Sequence, residues 1–398
     1  MRKRFSAVMA GAVALTLTAS IAIFAPSFAA PNYPSWADIQ AAKANETKKK
    51  TMISNLQATI ATLGVEADKL AKVALIKGEA FNQAQDAVDL MTLKVKSLQS
   101  QANQANDQAA AAKSELGQIA AQMYRDGSAG TSLDLFLNAG QADNLLYQLG
   151  TQDQLAGQSQ SLYERAVQRQ QYAQSITDTL KAAKAQLANE ATVAQAAFAD
   201  AKAAASAVQA KVDANNALNK TFYAQLASLR HTTATLEQQR ADGLAAEARQ
   251  NAVKTMPIAP ELYSVGPADQ GKVDTALAFA RAQLGEPYVL GGMGPSIWDC
   301  SGITKASYAA AGLYIGTHSA TNQFDTMAAE RRLVPLSQAV QGDLMWYTQS
   351  SAFNGDKYHV VIYLGGGMML EAPNPSATVR IVPLRYGELF PYAGRPSA

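Results

Sequence analysis

The chemistry of this chain centres on its one cysteine. Cys300 lies in the run Trp298-Asp299-Cys300-Ser301-Gly302, followed by Ile303-Thr304-Lys305-Ala306-Ser307-Tyr308. Gly291, Gly292, Gly294 and Pro295 precede it, so the chain arrives through a tight, irregular loop. Asp299 and Ser301 are good helix-capping residues, and the spacing predicts a helix that Gly312 ends. A thiol in the first turn of a helix feels the positive end of the helix dipole, which favours the nucleophilic thiolate. The competing reading is a small cysteine packed as a hydrophobe.

A base and its orienting partner have a candidate position downstream. Tyr358-His359-Val360-Val361-Ile362-Tyr363-Leu364 reads as a strand and carries one of three histidines. Gly365-Gly366-Gly367 turns the chain, and Met368-Met369-Leu370-Glu371 returns. Such a hairpin brings Glu371 roughly opposite His359 on one face. A cysteine, a histidine on a strand and a polar residue that orients it is the general layout of a cysteine nucleophile with its base.

The motifs Tyr288-Val289-Leu290-Gly291-Gly292, Asp299-Cys300-Ser301-Gly302, Gly342-Asp343-Leu344 and His359-Val360 with Ile362-Tyr363 resemble the NlpC/p60 family of cell-wall peptidases, in that family's order. The resemblance covers about 271–394. It implies a papain-like cysteine endopeptidase acting on peptidoglycan stem peptides, usually at the bond joining D-glutamate, through its γ-carboxyl, to the diamino acid. Residue by residue it puts Cys300 on the nucleophile, His359 on the base and Glu371 on the orienting position. Tyr288, Asp299 and Ser301 fall on positions that line the site. Two departures bear on substrate preference: Leu290 stands where the family often has Trp, and Gly316-Thr317-His318-Ser319 where an Arg-Ser or Arg-Thr pair is common.

Other polar residues carry weaker signals. His318, beside Ser319, is a candidate for substrate binding; the bland reading is a loop histidine. Trp346 and Tyr347 read as core. One Cys and three scattered His offer no metal-ligand spacing, and nothing in the sequence asks for a cofactor. Gly291-Gly292-Met293-Gly294 is in the wrong context for a phosphate loop.

The elements that must position these residues form an α+β chain with a long helical front half. Its 398 residues suit two or three domains. Arg2, Lys3 and Arg4 precede an apolar run from Phe5 to Phe24 and the small-x-small site Ser27-Phe28-Ala29, which reads as a signal peptide over 1–29. An uncleaved anchor is the alternative. Removing those three basic residues takes the formal charge from +2 to about −1, so neither form is a polybasic nucleic-acid binder. Over 30–250 apolar residues recur at threes and fours: Ile53, Leu56, Ile60, Leu63, Ala67, Leu70 and Ala74, then on through Phe81 and Met91 to Met123, with Lys77 the one polar entry. This predicts a coiled-coil arm on the order of 100 Å, an elbow near 124–150 and a returning helix after Gly150, interrupted near Asn215-Asn216. His231 reads as a surface or seam residue. Pro257, Pro260 and Pro267 mark a linker over 251–270, and 271–398 holds the catalytic motifs as helices followed by an antiparallel sheet.

These expectations describe a secreted cysteine peptidase of the cell-wall space, regulated by its coiled coil. The same Cys-His pair also suits acyl transfer to an amine. A non-catalytic wall or division scaffold is the reading from another class, and the complete set Cys300, His359, Glu371 argues against it. Leu133, Leu135, Phe136, Leu137, Leu145, Leu146 and Tyr147 gather apolar character where the heptad stops. This predicts a contact site at the tip. Coiled-coil members of the family resemble enzymes restrained by their own arm and released by a division-associated membrane complex.

Overall fold

The computed structural model describes residues 34–125, 142–251 and 257–398. The expected signal peptide lies outside the described residues, as do Leu133, Leu135, Phe136 and Leu137 of the expected tip. Leu145, Leu146 and Tyr147 fall within a helix, but their side chains lie outside that description. No helix among the described residues is long and apolar enough to cross a membrane.

Helix α1 (Trp36–Lys43) starts at a capping box: Ser35 accepts from the Asp38 N–H, and the Asp38 carboxylate accepts from the Ser35 N–H. Helix α2 (Glu46–Arg125) is 80 residues long, about 120 Å at 1.5 Å per residue. Helix α3 (Ala142–Arg230) returns antiparallel to it, as cross-pairs show: Gln99 with Lys184, Lys77 with Asp200, Glu66 with Lys211 and the Leu63 carbonyl with Asn215. The seam is largely alanine, with Ala74, Ala102 and Ala105 of α2 buried along with Ala173, Ala183, Ala194 and Ala201 of α3. Small side chains let the helix axes approach closely and share one narrow apolar stripe. Larger residues gather at the base, where Ile39, Leu56, Leu63, Phe222, Leu226 and Leu229 form a separate core.

Three details of the arm differ from the sequence reading. Gly150 lies inside α3, although one glycine costs a helix roughly 1 kcal/mol. Asn215 does not interrupt it: its amide turns inward and donates to the Leu63 carbonyl at 2.8 Å. Lys77 leaves the seam and pairs on the outside with Asp200 at 2.9 Å. The break comes later, at His231, whose φ of 59° is left-handed, before α4 (Ala234–Asn251).

The C-terminal part is α+β. Helix α5 (Gln270–Ala282), α6 (Cys300–Ala310) and α7 (Ala320–Ala329) precede a six-stranded antiparallel sheet. Its strands are β1 (Leu333–Pro335), β2 (Leu344–Tyr347), β3 (His359–Gly365), β4 (Met368–Glu371), β5 (Arg380–Pro383) and β6 (Leu389–Gly394), in the order β1-β6-β2-β3-β4-β5. Val273, Leu277, Ile303, Tyr308, Phe324, Trp346, Val361 and Leu370 pack between helices and sheet. Strand β6 sits inside the sheet although it contains Pro391. The ladder with β2 shifts register between Met345 and Tyr347, which accommodates a residue that cannot donate. Leu75 of α2 is buried in this same core, so the arm is packed onto the domain.

Candidate active site

Asp299 builds the start of α6. Its carboxylate caps the helix by accepting from the Gly302 N–H at 2.8 Å, and also accepts from the Gly291 N–H at 3.1 Å. The glycine-rich loop is thereby tied to the helix. Gly302 has no alternative, since a Cβ there would run into the Gly292 carbonyl. Cys300 is the first residue of α6 and 4% exposed. The N–H groups of Val360 and Ser301 lie within hydrogen-bonding reach of its sulfur, which brings the nucleophile candidate against the start of β3.

His359 opens β3 and is fully buried. The β3–β4 ladder pairs Ile362 with Leu370 and Tyr363 with Met369. Glu371 therefore lies on the same face as His359, displaced diagonally, and its carboxylate meets His359 Nε2 at 2.9 Å. The ring's other nitrogen, Nδ1, is buried with no hydrogen-bond partner among the described residues. That nitrogen is the one left for a thiol.

The sequence reading did not include what holds Glu371. Arg385 grips it with both terminal nitrogens, at 2.8 and 2.7 Å, and Arg380 adds bonds at 3.0 and 2.9 Å. Arg385 also stacks over the Tyr347 ring at 5.0 Å. Burial opposes ionisation of Glu371, yet the Arg385 charge and the bonds from His359 and Arg385 outweigh it and hold the carboxyl well below its usual range. Two cations facing one carboxylate offset part of its field at the imidazole. Burial lowers the affinity of His359 for a proton; Glu371 opposes this, and Arg385 and Arg380 reinforce it, leaving the pKa below its ordinary value.

The thiol moves the other way. Burial pushes Cys300 well up, and the Asp299 and Glu79 carboxylates add to the effect; the N–H groups of Val360 and Ser301 oppose it. The helix-start argument for a thiolate is thus overridden in this arrangement. Burial favours the neutral form of both the thiol and the imidazole.

Glu79 comes from the arm. Helix α2 lies across the site through Leu75, Gly78, Glu79 and Asn82, all buried. Asn82 donates to Asp299 at 3.2 Å and to the Ser301 hydroxyl at 3.3 Å. Glu79 accepts from the Ser319 hydroxyl, the N–H groups of Ala320 and Thr321 and the Gln83 amide. Asp86 accepts from the Thr317 hydroxyl, and Lys72 pairs with Glu388 at 2.8 Å. Clefts of about 320 and 570 Å³ flank the helix, the first beside Arg380 and Arg385 and the second beside His318 and Lys305. The helix fills the middle of a groove.

The remaining expected residues cluster here. Tyr288 is buried, with its hydroxyl 3.7 Å from where a Cβ on Gly78 would stand. His318 Nε2 meets the Asp299 carboxylate at 2.7 Å. Ser319 is the N-cap of α7, a helix that the sequence analysis does not identify, and accepts from the Asn322 N–H at 3.0 Å. Trp346 and Tyr347 are core, as read. Glu79, Asn82, Arg380 and Arg385 were missed. The only signal for the arm residues is a glycine with polar neighbours on the face of α2 opposite the seam, which reads as solvated surface without the domain that covers it.

Comparison with known proteins matches residues 285–389 to the NlpC/P60 family. Peptidoglycan endopeptidase RipA of Mycobacterium tuberculosis is 36% identical over 127 residues, 29% of this chain and 25% of RipA. The Gamma-D-glutamyl-L-lysine dipeptidyl-peptidase of Bacillus cereus is 30% identical over 129 residues, 32% of this chain and 36% of that protein. The solved structure of the peptidoglycan hydrolase RipB from Mycobacterium tuberculosis is 27% identical, covering 40% of this chain and 86% of that one, with a TM-score of 0.29. The chain thus spans a quarter to just over a third of the length of these two curated relatives. It carries at its C-terminus an NlpC/P60 domain, the domain of peptidoglycan-cleaving cysteine peptidases, behind a long helical hairpin.

Proposed function

We propose that this chain is an exported cysteine endopeptidase of peptidoglycan stem peptides, held closed by its own coiled coil. The observation that carries the reading is the grouping of Cys300, His359 and Glu371 within the NlpC/P60 domain. His359 Nδ1 takes the Cys300 proton as the sulfur attacks the amide carbonyl. Backbone N–H groups at the start of α6, that of Cys300 included, stabilise the oxyanion. The imidazolium returns its proton to the leaving amine, and water then releases the acyl group from the thioester. Glu371, fixed by Arg385 and Arg380, keeps the ring in one orientation throughout. Tyr288, Asp299, Ser301, His318 and Ser319 line the groove that receives the peptide. The bond is the γ-D-glutamyl linkage to the diamino acid, a choice that the similarity to the Bacillus cereus Gamma-D-glutamyl-L-lysine dipeptidyl-peptidase supports. Export rests on the signal over 1–29.

A buried nucleophile cannot meet a polymeric substrate, so α2 must leave the groove before turnover. The arm tip, with Leu133, Phe136 and Leu146, receives the partner that releases it, a division-associated membrane complex. Digestion of defined muropeptides with mass analysis of products tests the activity. Cleavage between D-glutamate and the diamino acid, lost in Cys300→Ala, is expected. Equal cleavage by a folded Cys300→Ala chain would end the peptidase reading.

A further inference from the structure

Glu79 is the least expected residue of the arm. It faces away from the α3 seam and is 4% exposed. Carboxylates are rarely so buried without a cation, yet among the described residues no lysine or arginine pairs with it. Its partners are all donors: the Ser319 hydroxyl at 2.6 Å, the Ala320 N–H at 2.9 Å, the Thr321 N–H at 3.0 Å and the Gln83 amide at 3.1 Å. Burial raises the pKa of Glu79, and these four donors oppose that by favouring the ionised carboxylate, which only accepts. Three of the four donors belong to the catalytic domain and remain there when the arm leaves. The carboxylate is also close enough to Cys300 for its charge to act on the thiol. A carboxylate cradle therefore stands in the groove that α2 fills, one turn along that helix from the Asn82 contact with Asp299 and Ser301, and it is occupied by a side chain from 240 residues upstream.

A γ-linked D-glutamyl residue keeps a free α-carboxylate on the acyl side of the reacting carbonyl. We propose that Glu79 is a built-in mimic of that group, so that the arm and the stem peptide compete for the Ser319–Thr321 cradle. The identity of the competing peptide rests on the reading under Proposed function; the cradle does not. An α-amidated stem peptide would fit poorly, because an amide has lost the charge and turns N–H groups towards donors.

The test uses the full chain with Glu79→Ala and the isosteric Glu79→Gln, each checked for helix content by circular dichroism. Cys300 alkylation by iodoacetamide is timed with and without L-alanyl-γ-D-glutamate or its α-amide. Both variants should alkylate at least tenfold faster than the parent chain. In Glu79→Ala the free acid should protect Cys300 saturably, and the amide should need at least tenfold more. Unchanged alkylation in both variants, equal protection by acid and amide, or protection by neither would overturn the mimic. Muropeptide hydrolysis by Glu79→Ala is read separately. Selective protection without hydrolysis would keep the cradle and sink the endopeptidase reading; hydrolysis with unselective protection would do the reverse.

Discussion

Gly78 offers a way to move the arm without touching the catalytic groups. It lies in α2 where the helix crosses the site, and a Cβ built there would stand 3.1 Å from Leu290 Cδ1 and 3.7 Å from the Tyr288 hydroxyl. Gly78→Ala meets only the end of a flexible leucine, which can shift by a few tenths of an ångström. Its gain in helix propensity, about 1 kcal/mol, applies equally to the docked and released arm and cancels. Gly78→Leu is different, since three further carbons would have to enter a filled contact. Overpacking of this kind costs about 1–3 kcal/mol, all of it in the docked state. At about 1.4 kcal/mol per tenfold, the released fraction should rise roughly 5- to 150-fold. Gly64 is the control: it lies on the same helix, and a Cβ there meets nothing within 4 Å. The assay is muropeptide turnover by the full chain together with the rate of Cys300 alkylation. Gly78→Leu should raise both by the same factor, Gly78→Ala should raise them little, and Gly64→Leu should match the parent. If Gly78→Leu keeps its helix content and neither rate changes, the docked helix is not what limits access to Cys300.

Three shorter expectations follow from the site. Arg385→Met removes a charge that lowers the proton affinity of His359. The base works only when neutral, so the acid limb of the kcat/KM profile, expected below the ordinary histidine pKa of ~6.5, should move to higher pH. An unmoved limb would show that Arg385 does not act through the imidazole. Glu371→Gln leaves one acceptor oxygen against His359, Arg380 and Arg385 and turns an NH2 towards donors. Losing such a buried acceptor should destabilise the chain by about 1–3 kcal/mol in thermal or denaturant unfolding as well as reduce turnover; unaltered stability would mean the arginines re-pair with solvent at no cost. Phe136→Glu and Leu146→Glu should abolish partner-dependent activation in cells while leaving the release caused by Gly78→Leu intact, and normal activation in both would place the partner elsewhere.

The parts legible in the sequence were those whose signals are local. Cys300 follows a capping aspartate, and His359 and Glu371 sit on strands joined by Gly365-Gly366-Gly367, all three with positive φ. The arm was legible because its seam repeats. Strand β6 was hidden by Pro391, which a register shift accommodates, and α7 by its polar start, Ala320-Thr321-Asn322-Gln323, behind the capping Ser319. The face of α2 that carries Gly78, Glu79 and Asn82 could not be read, since its burial is supplied by a domain some two hundred residues away. Arg380 and Arg385 are a different case: Glu371 lies only nine and fourteen residues upstream of them, and seeing the contact requires the β4–β5 register that sets Arg380 opposite Glu371.

The capping of α7 has a thermodynamic consequence. The Ser319 hydroxyl accepts from Asn322 within the helix while donating to Glu79, and Glu79 also takes the N–H groups of Ala320 and Thr321. These are first-turn amides with no partner inside the helix. The docked arm therefore completes the catalytic domain's own secondary structure, and its departure hands those amides to water. If the arm opens, α7 keeps its Ser319 cap but loses the Glu79 bonds at its first turn, so the released form should be the less heat-resistant one. Amide hydrogen exchange at Ala320 and Thr321 then becomes a gauge of arm position that needs no substrate and no reactive thiol, with protection when docked and fast exchange when free.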